Sequence, residues 1–298
     1  MHLGNGLISP GCAIATFAIA TAAVASAAVS VARDRARRPT ADRVDGWRLA
    51  VATTFVFVMQ TINLPVGAGV SGHLIGGALL AYWFGAAWGA IAMTVVLVVQ
   101  SVLLADGGLA ALGANVLNMA VVPCLVVYPL VARLVSHPLV RLAVAAGVSV
   151  PAAAGACGLE MLTLAPARAN AGELLAALLG VHLAIAGIEI LLSLAAALAA
   201  ARSNRHLPHP RSLAWATATA ALLAGGLLIE GSPWPDGLEF SLARFGLEAP
   251  TGLLDAAQAR LAAAVDASGL GTAIGGVCAA VLAGALSVAA RGRRTRHV

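Results

Sequence analysis

The sequence predicts an all-α polytopic membrane protein with about nine transmembrane helices, the N-terminus outside and the C-terminus cytoplasmic. Three observations predict it. Of the 298 residues, 60% are hydrophobic and only 10% charged, against about 45–50% and about 25% in an ordinary soluble domain. The apolar residues gather over 11–32, 47–64, 73–105, 114–135, 140–165, 172–201, 212–230 and 271–290, and a spanning helix needs roughly 20 of them. The third observation is where the arginines stand. Arg33, Arg35, Arg37, Arg38, Arg43 and Arg48 follow the first run, and Arg133 and Arg141 lie between two later ones. Arg202, Arg205 and Arg211 follow the next, and Arg291, Arg293, Arg294 and Arg296 close the chain. Only Arg168, Arg244 and Arg260 lie elsewhere. The positive-inside rule places the clusters in the cytoplasm.

Each element then has its own reason. The first run carries its positive charge after the apolar stretch, whereas a secretory signal carries it before, so it reads as a retained anchor helix. The stretch 73–105 decides the number of spans. One long helix there would put Arg133 and Arg141 outside. Two short helices broken at Phe84-Gly85-Ala86-Ala87-Trp88-Gly89 keep every cluster inside and make nine spans. Segment 202–211 is polar, Pro-containing and helix-breaking. It divides a seven-span core, residues 1–201, from a two-span unit, residues 212–298, whose loop at about 231–270 faces outside.

Composition also excludes. All 18 basic residues are Arg, with no Lys. A Walker A loop needs its Lys on the phosphates, so ATP-driven work would belong to partner chains. Schiff-base chemistry on a Lys is excluded too. There is no paired-carboxylate motif and no recognisable Ser/His/Asp set, so the chain is not read as an enzyme. The arginine positions argue against nucleic acid, and the run from Arg33 to Arg48 suits anionic lipid. Cys12, Cys124, Cys157 and Cys278 form no C-x-x-C and read as small core residues. Glu160, His182 and Glu189 fall inside apolar runs, where an ionisable group faces the bundle interior. Helix–helix hydrogen bonding and a place on a proton or metal route are both open to them.

The chain begins Met1-His2-Leu3. The α-amine of Met1 and the amide nitrogen of His2 close a five-membered ring on a metal, and that amide with His2 Nδ1 closes a six-membered one. Three nitrogens then lie nearly in a plane with a fourth position open, the geometry diagnostic of Ni(II) and Cu(II). Binding releases protons, because the amide must lose its own. The other reading of His2 is an unengaged chain end. His73, in Ser71-Gly72-His73 at the head of a span, is the candidate fourth nitrogen. Irregular backbone around it is tolerated only where protein buries it; the other reading is an interfacial His bonded to a loop carbonyl. Asp106 is placed to accept the spare ring N–H of a ligating His. Asn115 and Asn118, three apart on one helical face, suit bonds across helices.

Together these segments resemble the CbiM/NikM family, the substrate-specific membrane subunits of energy-coupling-factor transporters for cobalt and nickel. The resemblance rests on Met1-His2-Leu3 with Gly6, Leu7 and Pro10, on Ser71-Gly72-His73, and on Asp106-Gly107-Gly108-Leu109 with Leu112-Gly113-Ala114-Asn115. It covers roughly residues 1–200. It implies metal held by the Met1 amine, the His2 amide and imidazole, and His73. Ni2+ or Co2+ is then a transported substrate rather than a cofactor. The implied partners are a membrane-embedded T-component and cytoplasmic ABC ATPases, in the cell membrane. Family members often carry Pro or an acidic residue where this chain has Gly4 and Asn5, which bears on how the N-terminal strand packs. Farther on, Pro235-Asp236-Gly237-Leu238-Glu239 resembles the PDGLE domain, a NikN/CbiN-like accessory unit whose loop assists metal loading; as bare sequence, Pro-Asp-Gly is a good turn. The runner-up is a stand-alone divalent-metal permease. A membrane enzyme or metal sensor built on Glu160, His182 and Glu189 is the third reading.

Overall fold

The computed structural model describes residues 1–37, 44–67, 69–206, 232–247, 252–266 and 270–290. The expected span at 212–230, and residues 207–211 of the expected linker, lie outside them. Among the described residues, six helices are long and apolar enough to cross a membrane.

Helix α1 (Pro10–Arg37) follows an N-terminal strand-like segment, and α2 (Gly46–Thr61) starts at Asp45, whose side chain accepts from Trp47 N. A two-stranded antiparallel hairpin comes next, β1 (Leu64–Gly67) and β2 (Val70–Gly72), with Leu64 opposite Gly72 and Pro65 opposite Ser71. Then α3 (Gly77–Phe84) and α4 (Ala86–Leu104) meet at Gly85, whose φ of 82° is open to glycine and strained for other residues. The break expected between Phe84 and Gly89 is therefore there.

Its first limb departs from a regular span. Eight residues of α3 reach only about 12 Å, less than half of a hydrocarbon core of about 30 Å. The chain enters this limb with non-helical backbone from His73 to Gly76, where Gly76 turns left-handed with φ 79°. That backbone cannot form helical hydrogen bonds, and buried N–H and C=O groups need partners. Glu189 supplies them: Oε2 accepts from Ile75 N at 2.6 Å and Oε1 from Gly76 N at 2.8 Å. Gln60 Nε2 donates to Ile75 O at 2.6 Å.

The last turn of α4, Gln100–Leu104, widens to π spacing and stops at Ala105, a left-handed residue with φ 53°. α5 (Leu112–Leu134) contains a longer π stretch, Leu117–Val127, around Pro123, whose ring removes one helical donor. α6 (Pro138–Met161), the short α7 (Ala165–Ala169) and the long α8 (Ala171–His206) complete the bundle. Phe57, Leu49, Leu80, Met93 and Met119 are fully buried where α2 to α5 meet. Cys124 is buried beside Ala81 and Ala90, Cys157 in a separate cluster with Leu3, Leu7 and Leu178, and all four cysteines are free. The C-terminal region adds α9 (Gly237–Arg244), α10 (Leu253–Asp266) and α11 (Gly271–Ala289). α11 lies along α2, its Gly275 pressed against the Phe57 ring, and Gly276 O accepts from Thr54 Oγ1 at 3.3 Å.

Candidate metal centre

Four stretches distant in sequence meet at one end of the bundle. The first residues run as a strand-like segment because their backbone bonds go sideways. Asn115 clamps Leu3 from both sides, accepting from Leu3 N at 2.8 Å and donating to Leu3 O at 3.1 Å. Gly108 N also donates to Leu3 O at 2.8 Å. Asn5 then binds outward, its Nδ2 donating to Asp255 Oδ1 at 2.8 Å and Gln258 Oε1 at 2.7 Å, while its Oδ1 accepts from Ala110 N. Gln258 closes the network by donating to Ser101 O and Gly107 O, carbonyls beside the π turn that opens toward Asp106. The expected consequence of Asn5 for packing is thus a specific one: it ties the N-terminal strand to α10.

This network presents the Met1 amine to His73. Met1 N lies 2.9 Å from His73 Nε2. His73 Nδ1 faces Leu74 O at 3.1 Å. A carbonyl only accepts, so Nδ1 carries the hydrogen and the Nε2 lone pair points at the amine. His73 is 6% exposed, and its ring stacks on that of His2 with centroids 5.2 Å apart and planes 10° apart.

His2 is oriented by Asp106, whose Oδ1 lies 2.6 Å from His2 Nδ1. Here the structure corrects the expected pairing. The carboxylate holds Nδ1, the nitrogen the chelate would use, and Nε2 is the buried ring nitrogen without a partner among the described residues. Asp106 follows directly on the left-handed Ala105 that ends α4, and its carboxylate meets the ring at Nδ1. Burial pushes the Asp106 carboxyl up, but the facing His2, to which it is hydrogen-bonded, outweighs this and holds it below the usual carboxylate range.

The accessory-loop residue for which the sequence named no partner is Asp236. Its Oδ2 accepts from the Met1 ammonium at 2.7 Å and lies 3.9 Å from His73 Nε2. Oδ1 caps α9, accepting from Leu238 N and Glu239 N at 2.8 Å, while Glu239 Oε2 accepts from Asp236 N, a complete capping box. Burial would raise the Asp236 carboxyl; the ammonium and His73 beside it overcome that and hold it well below the usual range. Every residue of Pro235-Asp236-Gly237-Leu238-Glu239 has a task. Pro235 O accepts from Ser71 N at 2.9 Å, joining the loop to β2. Gly237 has no room for a side chain, since a Cβ would stand 2.8 Å from Ile185 Cδ1 and 3.0 Å from His182 Cε1. Leu238, 1% exposed, joins the Leu3, Leu7 and Leu178 cluster.

Other candidates fall elsewhere. Ser71 does not touch His73; its Oγ donates to Trp234 O at 2.6 Å. Asn118 does not reach the site either: its Nδ2 donates to Glu160 Oε2 at 2.7 Å, a bond across helices. His182 Nδ1 turns back to Leu178 O at 2.7 Å, and Glu189 holds the His73–Gly76 backbone. Asp255 and Gln258 were missed. Their only local signal is a polar pair spaced by three on the otherwise apolar and small face of α10.

Among the described residues, no three His, Cys, Asp or Glu side chains stand close enough to hold a metal ion by themselves. The set reaches three donors only with the α-amine. Metal–nitrogen bonds of about 2.0–2.1 Å put adjacent corners of a square about 2.9 Å apart, and the amine and His73 Nε2 stand at that separation.

The fused nickel transport protein NikMN of Rhodobacter capsulatus is 34% identical over 126 residues, 41% of this chain and 33% of its own length. The cobalt transport protein CbiM of Anoxybacillus flavithermus is 35% identical over 130 residues, 44% of this chain and 50% of its own. The chain thus spans half or less of the length of these curated relatives. A solved transition metal transporter superposes with a TM-score of 0.57 at 27% identity, over 69% of this chain and 95% of that one. Residues 2–207 match the family described as CbiM, the cobalt uptake substrate-specific transmembrane region. This multi-pass membrane protein, with a buried amine, two stacked imidazoles and a carboxylate gathered at one end, belongs to the CbiM family of cobalt and nickel transport proteins.

Proposed function

We propose that the chain is the substrate-binding membrane subunit of an ATP-driven, energy-coupling-factor-type importer for Ni2+ and/or Co2+. The site end faces outside, and a T-component with cytoplasmic ABC ATPases drives transport. The metal is held by the Met1 amine, the His2 amide and imidazole, and His73 Nε2. The observation that carries this is the 2.9 Å approach of the amine to a His73 nitrogen whose other ring nitrogen is fixed on a carbonyl. That is the arrangement by which proteins set the tautomer and aim of a metal-binding His. Chelation requires the His2 ring to turn Nδ1 from Asp106 toward its own amide and the ring proton to pass from Nδ1 to Nε2, so that the Nδ1 lone pair is free for the metal. Nitrogen ligation in a plane favours Ni2+ over Co2+, and Cu2+ would bind at least as well by the Irving–Williams order.

The test is Ni2+ binding by the purified chain, with and without His73→Ala, in the native background and with one Gly inserted between Met1 and His2. The insertion adds an amide and turns the chain end into a four-nitrogen site of its own. His73→Ala is expected to weaken binding by about 100-fold or more in the native chain and hardly at all with the insertion. Binding indifferent to both changes would overturn the site. ATP dependence is read separately, as Ni2+ uptake by cells with and without the partner chains; uptake by the chain alone would make it a permease.

A further inference from the structure

Asp236 and His73 form a partition with a different space on each side. Toward solvent lies an open pocket of about 240 Å3 whose lining includes His2, His73, Asp106, Asp236 and Glu239, and no arginine. On the other side is a chamber of about 10 Å3, bounded by Met1, His73, His182 and Asp236 among others, scarcely room for one water molecule. A cation arriving from solvent therefore meets three carboxylates and two imidazoles first. Such a cleft concentrates positive ions and speeds their capture.

The donors at the partition have metal-like spacing. On a square with bonds of about 2.0–2.1 Å, adjacent donors stand about 2.9 Å apart and opposite donors about 4.1 Å. Met1 N to His73 Nε2 is 2.9 Å, Asp236 Oδ2 to Met1 N is 2.7 Å, and Asp236 Oδ2 to His73 Nε2 is 3.9 Å. Asp236 Oδ2 thus occupies the corner opposite His73, the corner that the His2 amide takes in the four-nitrogen chelate. Its other oxygen is committed to capping α9, so the carboxylate is held in place on the α9 side.

Resting on the binding site just proposed, we infer that Asp236 is a loading ligand for a hydrated divalent transition-metal ion. The ion exchanges water for Asp236 Oδ2, the Met1 amine and His73 Nε2. The His2 amide and ring then displace the carboxylate as the four-nitrogen site closes. One proton leaves the ammonium when the metal takes its lone pair and one leaves the His2 amide, both to the solvent side. The accessory loop thereby acts on loading through a named oxygen atom rather than by shape alone.

The experiment is stopped-flow mixing of the full chain, metal-free in detergent, with Ni2+, followed through the absorbance of the planar nickel–nitrogen chromophore. Wild type, Asp236→Asn and Asp236→Glu are compared. Asn remains a good N-cap, so α9 keeps its start while the carboxylate is lost. Asp236→Asn is expected to load about tenfold more slowly yet finish with the wild-type spectrum, and Asp236→Glu to fall between. Wild type alone is expected to load in two phases, one proportional to Ni2+ concentration and one independent of it. Loading of Asp236→Asn at the wild-type rate, an altered final spectrum, or a single wild-type phase would each overturn the inference. If His73→Ala and the Gly insertion leave the wild-type spectrum untouched, the binding site itself fails, whatever the rate of Asp236→Asn.

Discussion

A fully buried carboxylate holds the backbone just after His73 and a part-buried one holds the amine beside it, and the two are used in opposite ways. Glu189 reaches from α8 and spends both oxygens on the N–H groups of Ile75 and Gly76, which no secondary structure could satisfy. It is 0% exposed, and its partners are backbone that cannot leave. Asp236 reaches from the far end of the chain and holds an ammonium on the first residue, with the 6% exposed side chain of His2 alongside and its Nε2 without a partner. A fully satisfied buried group stabilises one conformation. A group whose partner can exchange is where chemistry happens. The carboxyl on backbone N–H groups is scaffold, and the one on the Met1 ammonium holds a group that the proposed site gives over to metal.

The difference breaks most visibly at Glu189. Glu189→Ala leaves two buried N–H groups without acceptors, each costing about 1–3 kcal/mol, and the expected loss is about 3–5 kcal/mol, in line with removing one partner of a buried charged contact. Thermal unfolding in detergent reads it directly. A variant that melts with wild type would mean that the His73–Gly76 backbone finds other acceptors and that Glu189 is free for a transport role.

Acid sharpens the other side. The Asp236 carboxyl is held well below its usual range, so the folded chain resists its protonation more than the unfolded chain does. Its contribution to stability is complete above the ordinary carboxylate range and is lost as pH falls through that range toward the depressed folded value. Docking of the N-terminal strand in the metal-free protein is therefore expected to be indifferent to pH between 7 and 5 and to loosen below about pH 4. Proteolysis of residues 1–8 across that range, in wild type and Asp236→Asn, measures it. Equal acid sensitivity in both would show that the ammonium contact does not hold the strand.

Much of this was legible in the sequence, and the remainder has a common cause. The break at Gly85, the meeting of Met1, His2 and His73, and the reach of Asp106 to a His ring follow from glycine placement, apolar runs and chelate chemistry. The short α3 did not, because non-helical backbone from His73 to Gly76 replaces the first turn of helix, and apolar periodicity does not register that exchange. The sequence places Asp236 in an accessory loop without a partner, because that partner is 235 positions away. Asn118 lies one turn from Asn115 yet binds Glu160, since α5 turns the two residues toward different neighbours. Gln258 serves four partners from a helix whose composition is mostly Ala and Leu. Local pattern predicts which residues are costly to bury, and only packing decides which partners satisfy them.

The mildest perturbation separates the two regions most cleanly. Ser71→Ala removes the bond from Oγ to Trp234 O but keeps the one from Ser71 N to Pro235 O. The cost is about 0.5–1 kcal/mol, the net worth of a typical hydrogen bond. That is enough to shift loop docking by about two- to fivefold without touching a nitrogen of the metal site. Amide exchange over residues 232–245 is expected to quicken by that factor while the Ni2+-bound spectrum stays the same. Should Ser71→Ala instead destabilise the whole bundle as Glu189→Ala does, the loop would be one more piece of scaffold, and Asp236 could not release the chain end to a metal.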